Sequence, residues 1–386
     1  MGNPDPMSDQ KPLNVNWFYD MNALRNPAGV TRHALAMRHE LEKYPDQIHL
    51  GLCTGRIHDP DILAVWQQWD NLPRCEFPLS TRNLIRYWRL FSWPPATLWT
   101  GKTDWIYCPA EFYVSKGKSR LAVTSHDIMQ DLKWQPPRRK QLLDQLYSHV
   151  DLVFSISRFN TDALLEAYPQ LKGRIVQISN AADELFFEPA SGLERNQIRA
   201  KLGLPAQMPY LLSVANFQPR KNLAHLIRAV SQIPEAISGD LALVLVGEGS
   251  PEEYENLKKV ITETGKPKLQ IRMTGYIQGT DLRSAYAEAV ALVFPSLCES
   301  FGIPAVEAMT QGCPVAVSDT TSLPEIVGEA GWYFKPESVD SITESVNSII
   351  HNHDRRLEKV HKGQIIASQY RWKNVASSVM NALQTA

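Results

Sequence analysis

Residues 295–309 read PSLCESFGIPAVEAM and place Glu299 and Glu307 on either side of a Phe-Gly-Ile-Pro turn, with seven residues between them. On one unbroken helix the two carboxylates would lie more than two turns apart, too far to bind one small group. Pro304 suits the first position of a helix, and Gly302 suits the bend before it. The stretch therefore predicts a strand, a loop with Glu299, and a helix with Glu307 in its first turn. Open α/β sheets bind ligands at such strand ends.

Short apolar runs alternate with amphipathic segments along the chain, which is typical of parallel βαβ units. Each half contains six such runs, enough for its own doubly wound sheet. The predicted strands are 13–19, 48–53, 104–109, 121–125, 152–157 and 174–179 in the first half, and 210–216, 241–247, 271–275, 291–296, 314–319 and 331–336 in the second. The predicted fold class is α/β, with two Rossmann-like domains facing a central cleft.

The domain boundaries follow from composition. The polar segment 183–207 contains Pro and Gly and is interpreted as the connection between the domains. We predict a disordered leader (1–12), an N-terminal domain (13–190) and a C-terminal domain (200–371). The closing helix, 372–386, is expected to pack back on the N-terminal domain.

The bulk composition narrows the class of protein. A chain of 386 residues with 44% hydrophobic residues can form two ordinary cores. The net charge of -1 gives no electrostatic case for nucleic acid. The five cysteines are scattered and lack the spacing of metal ligands. The sequence has no apolar region typical of a signal peptide, and no apolar run reaches the ~20 residues that span a membrane. We therefore expect a cytoplasmic location.

Two elements of the second half predict an anion site. At the start of the helix, the backbone N–H groups of Phe301, Gly302 and Ile303 would bind a pyrophosphate. Like charges repel, so the two glutamates must bind neutral hydroxyls or face solvent. In NFQPRKNL (216–223), Arg220 and Lys221 follow a strand and would bind the same phosphates, unless they form a solvated surface pair.

Residues 295–336 resemble the signature region of the retaining glycosyltransferases of family four, which have the GT-B fold. That pattern comprises two glutamates around Phe-Gly-Leu-Pro, then Glu-Ala-Met, a Gly-x-Pro-Val strand and a Leu-Pro-Glu-x-x-Gly turn. The resemblance covers most of the chain, from about Asn14 to Trp372. It includes PRKNL (219–223), MTGYIQGTDLRSAYAEA (273–289), SHDIMQ (125–130), SISRFNTDAL (155–164) and NAAD (180–183).

The resemblance implies a nucleotide-sugar donor bound chiefly by the C-terminal domain and an acceptor bound chiefly by the N-terminal domain. It assigns the donor-sugar hydroxyls to Glu299, the ribose hydroxyls to Glu307 and the diphosphate to Lys221. It places Tyr276 and Ile277 beside the base.

In the first half, Gly29 of NPAGVTRHAL (26–35) matches the glycine that begins a helix near the diphosphate. His126 matches a histidine near the transferred sugar, with Asp127 beside it. From the residues alone, a histidine such as His126 is usually a structural group, and Asp127 is equally a turn or cap residue or a catalytic one.

Some positions depart from the family pattern. Asn216 stands where many members carry an arginine, so the phosphate clamp rests on Lys221 with help from Arg220. Ser300 replaces a common glycine, and NAAD (180–183) replaces the usual Asn-Gly-Val-Asp.

The resemblance extends to mannosyl members of the family that carry the same PRKN stretch. It implies transfer of a hexose, mannose from GDP-mannose, to a glycan or lipid-linked glycan during assembly of a bacterial surface polysaccharide. Retention requires double displacement or front-face attack, and the sequence offers no clear nucleophile for the former. We expect no cofactor and no metal; the DPD sequence at 59–61 is expected to be solvated. The alternatives are a UDP-sugar donor, a nucleotide-sugar epimerase and a noncatalytic nucleotide-sugar sensor.

The sequence feature that bears on the acceptor is the segment 81–102, TRNLIRYWRLFSWPPATLWTGK, which is rich in arginine and aromatic residues. Such a segment suits the anionic surface of the inner membrane on its cytoplasmic face, or an amphipathic helix whose aromatic side chains pack into the domain. The basic stretch KWQPPRRK (133–140) allows the same two interpretations. In the segment 81–102, the arginine and aromatic side chains to which both interpretations refer are Arg82, Arg86, Arg89, Trp88, Phe91, Trp93 and Trp99.

Overall fold

The protein is described by a computed structural model, which covers residues 11–25, 29–134, 136–233, 241–265 and 270–386. The chain divides into two compact units. Unit 1 holds the described residues through Asn180 together with Trp372–Ala386, and unit 2 is Ala181–Arg371. Of the predicted leader, residues 1–10 lie outside the described residues.

Unit 1 is built on a parallel sheet of seven strands in the order β3-β2-β1-β4-β5-β6-β7. The order reverses between β1 and β4, which is the mark of a doubly wound sheet. The strands are β1 (Leu13–Phe18), β2 (Ile48–Thr54), β3 (Arg74–Glu76), β4 (Trp105–Cys108), β5 (Arg120–Ser125), β6 (Leu152–Ser155) and β7 (Ile175–Gln177).

Seven helices of unit 1 connect these strands within the described residues. They are α1 (Gly29–Leu41), α2 (Pro60–Gln68), α3 (Thr81–Phe91), α4 (Thr97–Thr100), α5 (Ile128–Trp134), α6 (Pro137–His149) and α7 (Arg158–Ala167). Parallel strands need such crossovers, which cover the sheet and explain why its central strands are almost entirely apolar.

Unit 2 is built on a second parallel sheet, with six strands in the order β10-β9-β8-β11-β12-β13. Its strands are β8 (Tyr210–Val214), β9 (Ala242–Val246), β10 (Gln270–Met273), β11 (Ala291–Phe294), β12 (Val315–Ser318) and β13 (Gly331–Phe334). Its described helices are α8 (Gly192–Lys201), α9 (Leu223–Ser231), α10 (Pro251–Glu263), α11 (Gly279–Glu288), α12 (Ile303–Thr310), α13 (Leu323–Val327), α14 (Val339–His351) and α15 (His353–Ala367). The predicted fold class of two doubly wound Rossmann-like sheets is confirmed.

The segment 183–207 is part of unit 2 and not a connection between domains. Ser191 and Glu194 form a capping box that begins α8. Arg283 on α11 donates two hydrogen bonds to the Glu194 carboxylate, both at 2.8 Å. Unit 2 therefore starts at Ala181, ahead of the predicted boundary at residue 190.

The closing helix, α16 (Trp372–Thr385), belongs to unit 1 and packs against α1. The indole N–H of Trp105, on β4, donates to the carbonyl oxygen of Leu383 at 2.9 Å. The Arg120 guanidinium, at the start of β5, donates to the carbonyl oxygen of Ala386 at 2.7 Å. The central strand β4 and its neighbour β5 are thereby tied to the end of the chain.

None of the helices in the described part of the chain is long and apolar enough to cross a membrane.

Candidate active site

The strand order of unit 2 reverses between β8 and β11, and the loops that follow these two strands carry charged side chains. Lys221 lies in the loop after β8, and Glu299 lies in the loop after β11. The backbone N–H of Leu297 donates to the carbonyl oxygen of Arg220 at 2.8 Å, which joins the two loops. Ligands of open α/β sheets bind at such a reversal.

Lys221 and Glu299 form an ion pair between the Lys221 ammonium and the Glu299 carboxylate. Each side chain is 11% exposed, so the pair is largely removed from solvent. Glu307 is 1% exposed, and the alternative that the two glutamates face solvent is therefore wrong. An ammonium has three donors, so Lys221 can contact Glu299 and still donate to a phosphate oxygen.

Asn222 fixes the loop that carries Lys221. Its backbone is left-handed, with φ of 59°, and its side-chain amide donates to the carbonyl oxygens of Pro295 (3.1 Å) and Pro336 (2.7 Å). The Arg220 guanidinium donates to the carbonyl oxygen of Cys298 at 3.3 Å. Half-buried Arg220 is thus bonded to the neighbouring loop and differs from a solvated surface residue.

The helix after the Phe-Gly-Ile-Pro turn, α12, begins at Ile303, so Pro304 takes its second position. Glu307 is then the fifth residue and lies beyond the first turn, contrary to the prediction, because the helix starts one residue earlier. Gly302 has φ of 101°, and a Cβ there would lie 2.7 Å from Leu323 Cδ2. This position therefore requires glycine.

The Glu307 carboxylate is held by Tyr286, a fully buried residue of α11 whose hydroxyl donates to Glu307 Oε2 at 2.9 Å. The ring of Phe186 packs edge-on against Tyr286, with the ring centroids 6.1 Å apart. Tyr286 is not among the site residues predicted from the sequence, although it lies within the stretch 273–289 that resembles the family.

The other predicted donor-binding residues of unit 2 fall into two groups. Phe301, Gly302 and Ile303 are buried at the start of α12, beside Glu299. The Ser322 hydroxyl bonds to the carbonyl oxygens of both Phe301 and Glu299, and Glu299 is the ion-pair partner of Lys221. Asn216 is exposed in the loop after β8, the same loop that carries Lys221. Exposed Tyr276 and half-buried Ile277 follow the edge strand β10.

In unit 1, His126 directly follows β5 and is buried. Its Nε2 lies 2.8 Å from the carbonyl oxygen of Pro109, so Nε2 carries the proton and Nδ1 is the acceptor. Its backbone N–H donates to Glu111 Oε1 at 3.2 Å. Burial lowers the pKa of His126, which keeps the imidazole neutral near pH 7.

Asp127 and Gly29 lie at helix starts in the same unit. Asp127 Oδ1 accepts the backbone N–H of Gln130 at 3.4 Å, which is the capping role that the residue type suggested. Gly29 is exposed at the first position of α1, which follows β1. Of its motif, residues 26–28 lie outside the described residues.

His33, on α1, is a buried neighbour of His126 and is not among the site residues predicted from the sequence. The two imidazole centroids are 4.7 Å apart, edge to face. His33 Nδ1 lies 2.8 Å from Asn180 Oδ1, and Tyr107 Oη lies 3.5 Å from His33 Nε2. His33 lies in NPAGVTRHAL and Asn180 in NAAD, two stretches that resemble the family. The two residues are 147 positions apart, so the sequence alone does not indicate that they are in contact.

Asp59 of the DPD sequence is not merely solvated. It is the N-cap of α2, and its carboxylate accepts the backbone N–H groups of Asp61 and Ile62. The Arg25 guanidinium donates to Asp59 at 2.7 Å and lowers the pKa of that carboxyl.

In the described ranges, no three His, Cys, Asp or Glu side chains are grouped closely enough to hold a metal ion.

The buried histidine pair predicts a loss of stability in acid. Burial and, to a lesser extent, His126 hold the pKa of His33 well below 6.5. Below pH 6.5 the unfolded chain therefore binds more protons than the folded one, and the free energy of unfolding falls as the pH falls towards the folded-state pKa. From pH 7 to pH 5 we expect His33 to account for a loss of about 1–2 kcal/mol, measured by urea unfolding.

The test variant is His33→Gln, and the control is His39→Gln, a change of an exposed histidine on the same helix. The His33 variant should lose less stability than the wild type between the two pH values, while the His39 variant should follow the wild type. An unchanged pH dependence in the His33 variant would contradict the expectation.

Comparisons with known proteins show the family to which the chain belongs. Residues 194–364 match the family described as glycosyl transferases group 1. O-antigen chain mannosyltransferase B of Escherichia coli is 30% identical over 285 residues, which are 72% of this chain and 74% of that protein. The serotype-specific mannosyltransferase WbdA of Escherichia coli is 30% identical over 233 residues, 60% of this chain but 28% of WbdA. The chain belongs to the group 1 glycosyl transferases and is a hexosyltransferase.

A solved structure agrees with the fold. HepE of Anabaena, crystallised with UDP and glucose, matches 97% of this chain and 100% of its own with a TM-score of 0.75. The sequence identity is 18%, so this likeness shows the GT-B fold alone. The family membership confirms the resemblance stated from the sequence, and it decides between a glycosyltransferase and the epimerase or sensor alternatives.

Proposed function

We propose that the protein is a retaining mannosyltransferase that transfers mannose from GDP-mannose to a glycan or lipid-linked glycan of a bacterial surface polysaccharide. The observation that carries the proposal is the 30% identity to O-antigen chain mannosyltransferase B over 72% of the chain. The buried Lys221–Glu299 pair at the strand reversal of unit 2 supports it. We propose the cytoplasm as its location, since all five cysteines are free.

In this proposal unit 2 binds the donor and unit 1 the acceptor. Glu299 accepts hydrogen bonds from the hydroxyls of the mannose, and Glu307, positioned by Tyr286, accepts those of the ribose. Lys221 donates to the diphosphate, with Arg220 and the amino end of α12 nearby. Tyr276 and Ile277 contact the base, and Asn216 and Gly29 lie towards the phosphates.

The proposed reaction is a front-face substitution without a metal. The bond between the anomeric carbon and the phosphate oxygen breaks, and the acceptor oxygen bonds to that carbon on the same face. The acceptor proton passes to the departing phosphate oxygen. Lys221 and the helix amino end stabilise the negative charge that develops on the diphosphate. Neutral His126, with Nδ1 as acceptor, orients a hydroxyl of the mannose; Asp127 caps α5.

The alternative donor is a UDP-sugar. Its support is HepE of Anabaena, which was crystallised with UDP and has the same fold. The two donors differ in the base, which the residues around Tyr276 would contact.

A donor screen distinguishes them. Thermal unfolding is measured with GDP-mannose, UDP-glucose, UDP-galactose and UDP-N-acetylglucosamine, and donor hydrolysis is followed by release of the nucleotide. We expect GDP-mannose alone to stabilise the protein, by about 2.7 kcal/mol at a hundredfold excess over Kd. Stabilisation by a UDP-sugar alone would replace the GDP-mannose proposal with the alternative. The configuration of the product's anomeric carbon, determined by NMR, tests retention.

A further inference from the structure

The segment 81–102 has two distinct surfaces. One face of α3 packs into the core of unit 1 through Leu84, Ile85 and Trp88. Trp88 is fully buried, with its ring 6.0 Å from that of Phe18 and 5.5 Å from that of Phe77. This face of α3 therefore agrees with the interpretation of the segment as an amphipathic helix that packs into the domain.

The other surface, here named the apolar tip, consists of Leu90, Phe91, Trp93 and Leu98. Their exposed fractions are 78%, 62%, 64% and 66%. Tyr87 extends the tip, since its ring lies 4.8 Å from that of Phe91. Single exposed apolar residues are ordinary on a protein surface, but four large ones within nine positions mark an interaction surface.

The backbone under the apolar tip is held in place. The indole N–H of Trp88 donates to the carbonyl oxygen of Pro94 at 2.9 Å. Ser115 joins the same loop twice: its hydroxyl donates to Ser92 O at 2.6 Å, and its carbonyl oxygen accepts the Ala96 N–H at 2.8 Å. The exposure of Trp93 thus follows from a bonded loop conformation, and its side chain is presented outward from a fixed base.

The charge around the tip is of one sign. Residues 77–103 contain no aspartate or glutamate, but three arginines and one lysine. Arg82, Arg86 and Lys102 are exposed, and half-buried Arg89 donates to Gln145 on α6 at 2.5 Å. The whole chain has a net charge of -1, so this excess of positive charge is local.

We propose that the apolar tip docks unit 1 on the interface of an anionic lipid bilayer. Aromatic and aliphatic side chains that enter the interface, rimmed by arginines facing anionic headgroups, are the composition such surfaces favour. The charge of the rim decides for anionic lipid over an apolar partner surface, which would not match the exposed Arg82, Arg86 and Lys102. This inference does not depend on which nucleotide sugar is the donor.

The test is flotation of the full-length protein with vesicles of phosphatidylcholine, alone or with about 30% phosphatidylglycerol. We expect binding to the anionic vesicles only, weakened by salt. Arg82→Gln and Arg86→Gln should each weaken binding about fivefold, and Leu90→Glu at least about tenfold. Leu357→Glu is the matched control, an exposed leucine of unit 2 (57% exposed), and should bind as the wild type does.

Three results would overturn the proposal. One is the absence of binding to either vesicle by the folded wild type. Another is equal binding of the Leu90 and Leu357 variants. The third is a concentration-dependent dimer that Leu90→Glu abolishes, without vesicle binding, because a second copy of the chain would then occupy the tip. Since these side chains are exposed, each variant should melt within a few degrees of the wild type, which separates loss of docking from loss of folding.

Discussion

Replacing Lys221 by Met is expected to lower the turnover number with GDP-mannose by about 10²- to 10³-fold. The ammonium is the charge that faces the departing diphosphate in the proposed reaction, and Met keeps the length of the side chain without its charge. Glu299→Gln should lower turnover by a similar factor, because the carboxylate both orients the ammonium and binds the sugar hydroxyls. The measurement is the initial rate of nucleotide release at saturating donor.

The stability of the same variants separates a catalytic role from a structural one. Removing one partner of a fully buried ion pair costs about 3–5 kcal/mol, and the cost here should be smaller. It should be smaller because each side chain keeps 11% of its surface exposed. The double variant Lys221→Met/Glu299→Gln leaves no uncompensated charge, so its free energy of unfolding should recover while its turnover stays low.

A matched control is available in the same unit. Arg199 pairs with Glu288 at 2.5 Å, with both side chains 19% exposed, and joins α8 to α11. Arg199→Met should reduce stability and leave turnover near the wild-type value. If the double variant at Lys221 and Glu299 regained turnover together with stability, the pair would be structural and the proposed role of Lys221 would be wrong.

The fold follows from the sequence because long parallel strands are buried on both faces and so appear as apolar runs. β9, with the sequence ALVLV, is such a strand, and all of its residues are buried. β3 escaped prediction because it is only Arg-Cys-Glu, and it forms by pairing its backbone with Leu52–Thr54 of β2. The segment 183–207 was misassigned because its polar composition outweighed a capping box, Ser-x-x-Glu, that predicts a helix start.

The site was predicted in part. The sequence placed Lys221 and Glu299 at the ends of strands, which the structure shows, but their ion pair joins residues 78 positions apart. The contact between His33 and Asn180 spans 147 positions. Such contacts depend on which strands become neighbours, and apolar periodicity does not determine the strand order. Burial of Glu307 likewise depends on Tyr286, a residue of a different helix.

Glu307→Gln is expected to weaken donor binding by about 10- to 100-fold, with a smaller effect on the turnover number. The physical reason is the loss of charge-assisted hydrogen bonds from the ribose hydroxyls to a carboxylate held in a buried position. Tyr286→Phe removes the hydroxyl that donates to Glu307 at 2.9 Å, and it should weaken binding about 3- to 10-fold. Calorimetric titration with GDP-mannose measures both effects.

Titration with GDP shows which part of the donor Glu307 contacts. GDP has the ribose but no mannose, so Glu307→Gln should weaken GDP and GDP-mannose by the same factor. Glu299→Gln should weaken GDP-mannose by a larger factor than GDP, because that carboxylate is assigned to the sugar, and GDP is affected only through the orientation of Lys221. If Glu307→Gln weakened GDP-mannose alone, its carboxylate would contact the mannose, and the assignment of the two glutamates to sugar and ribose would have to be reversed.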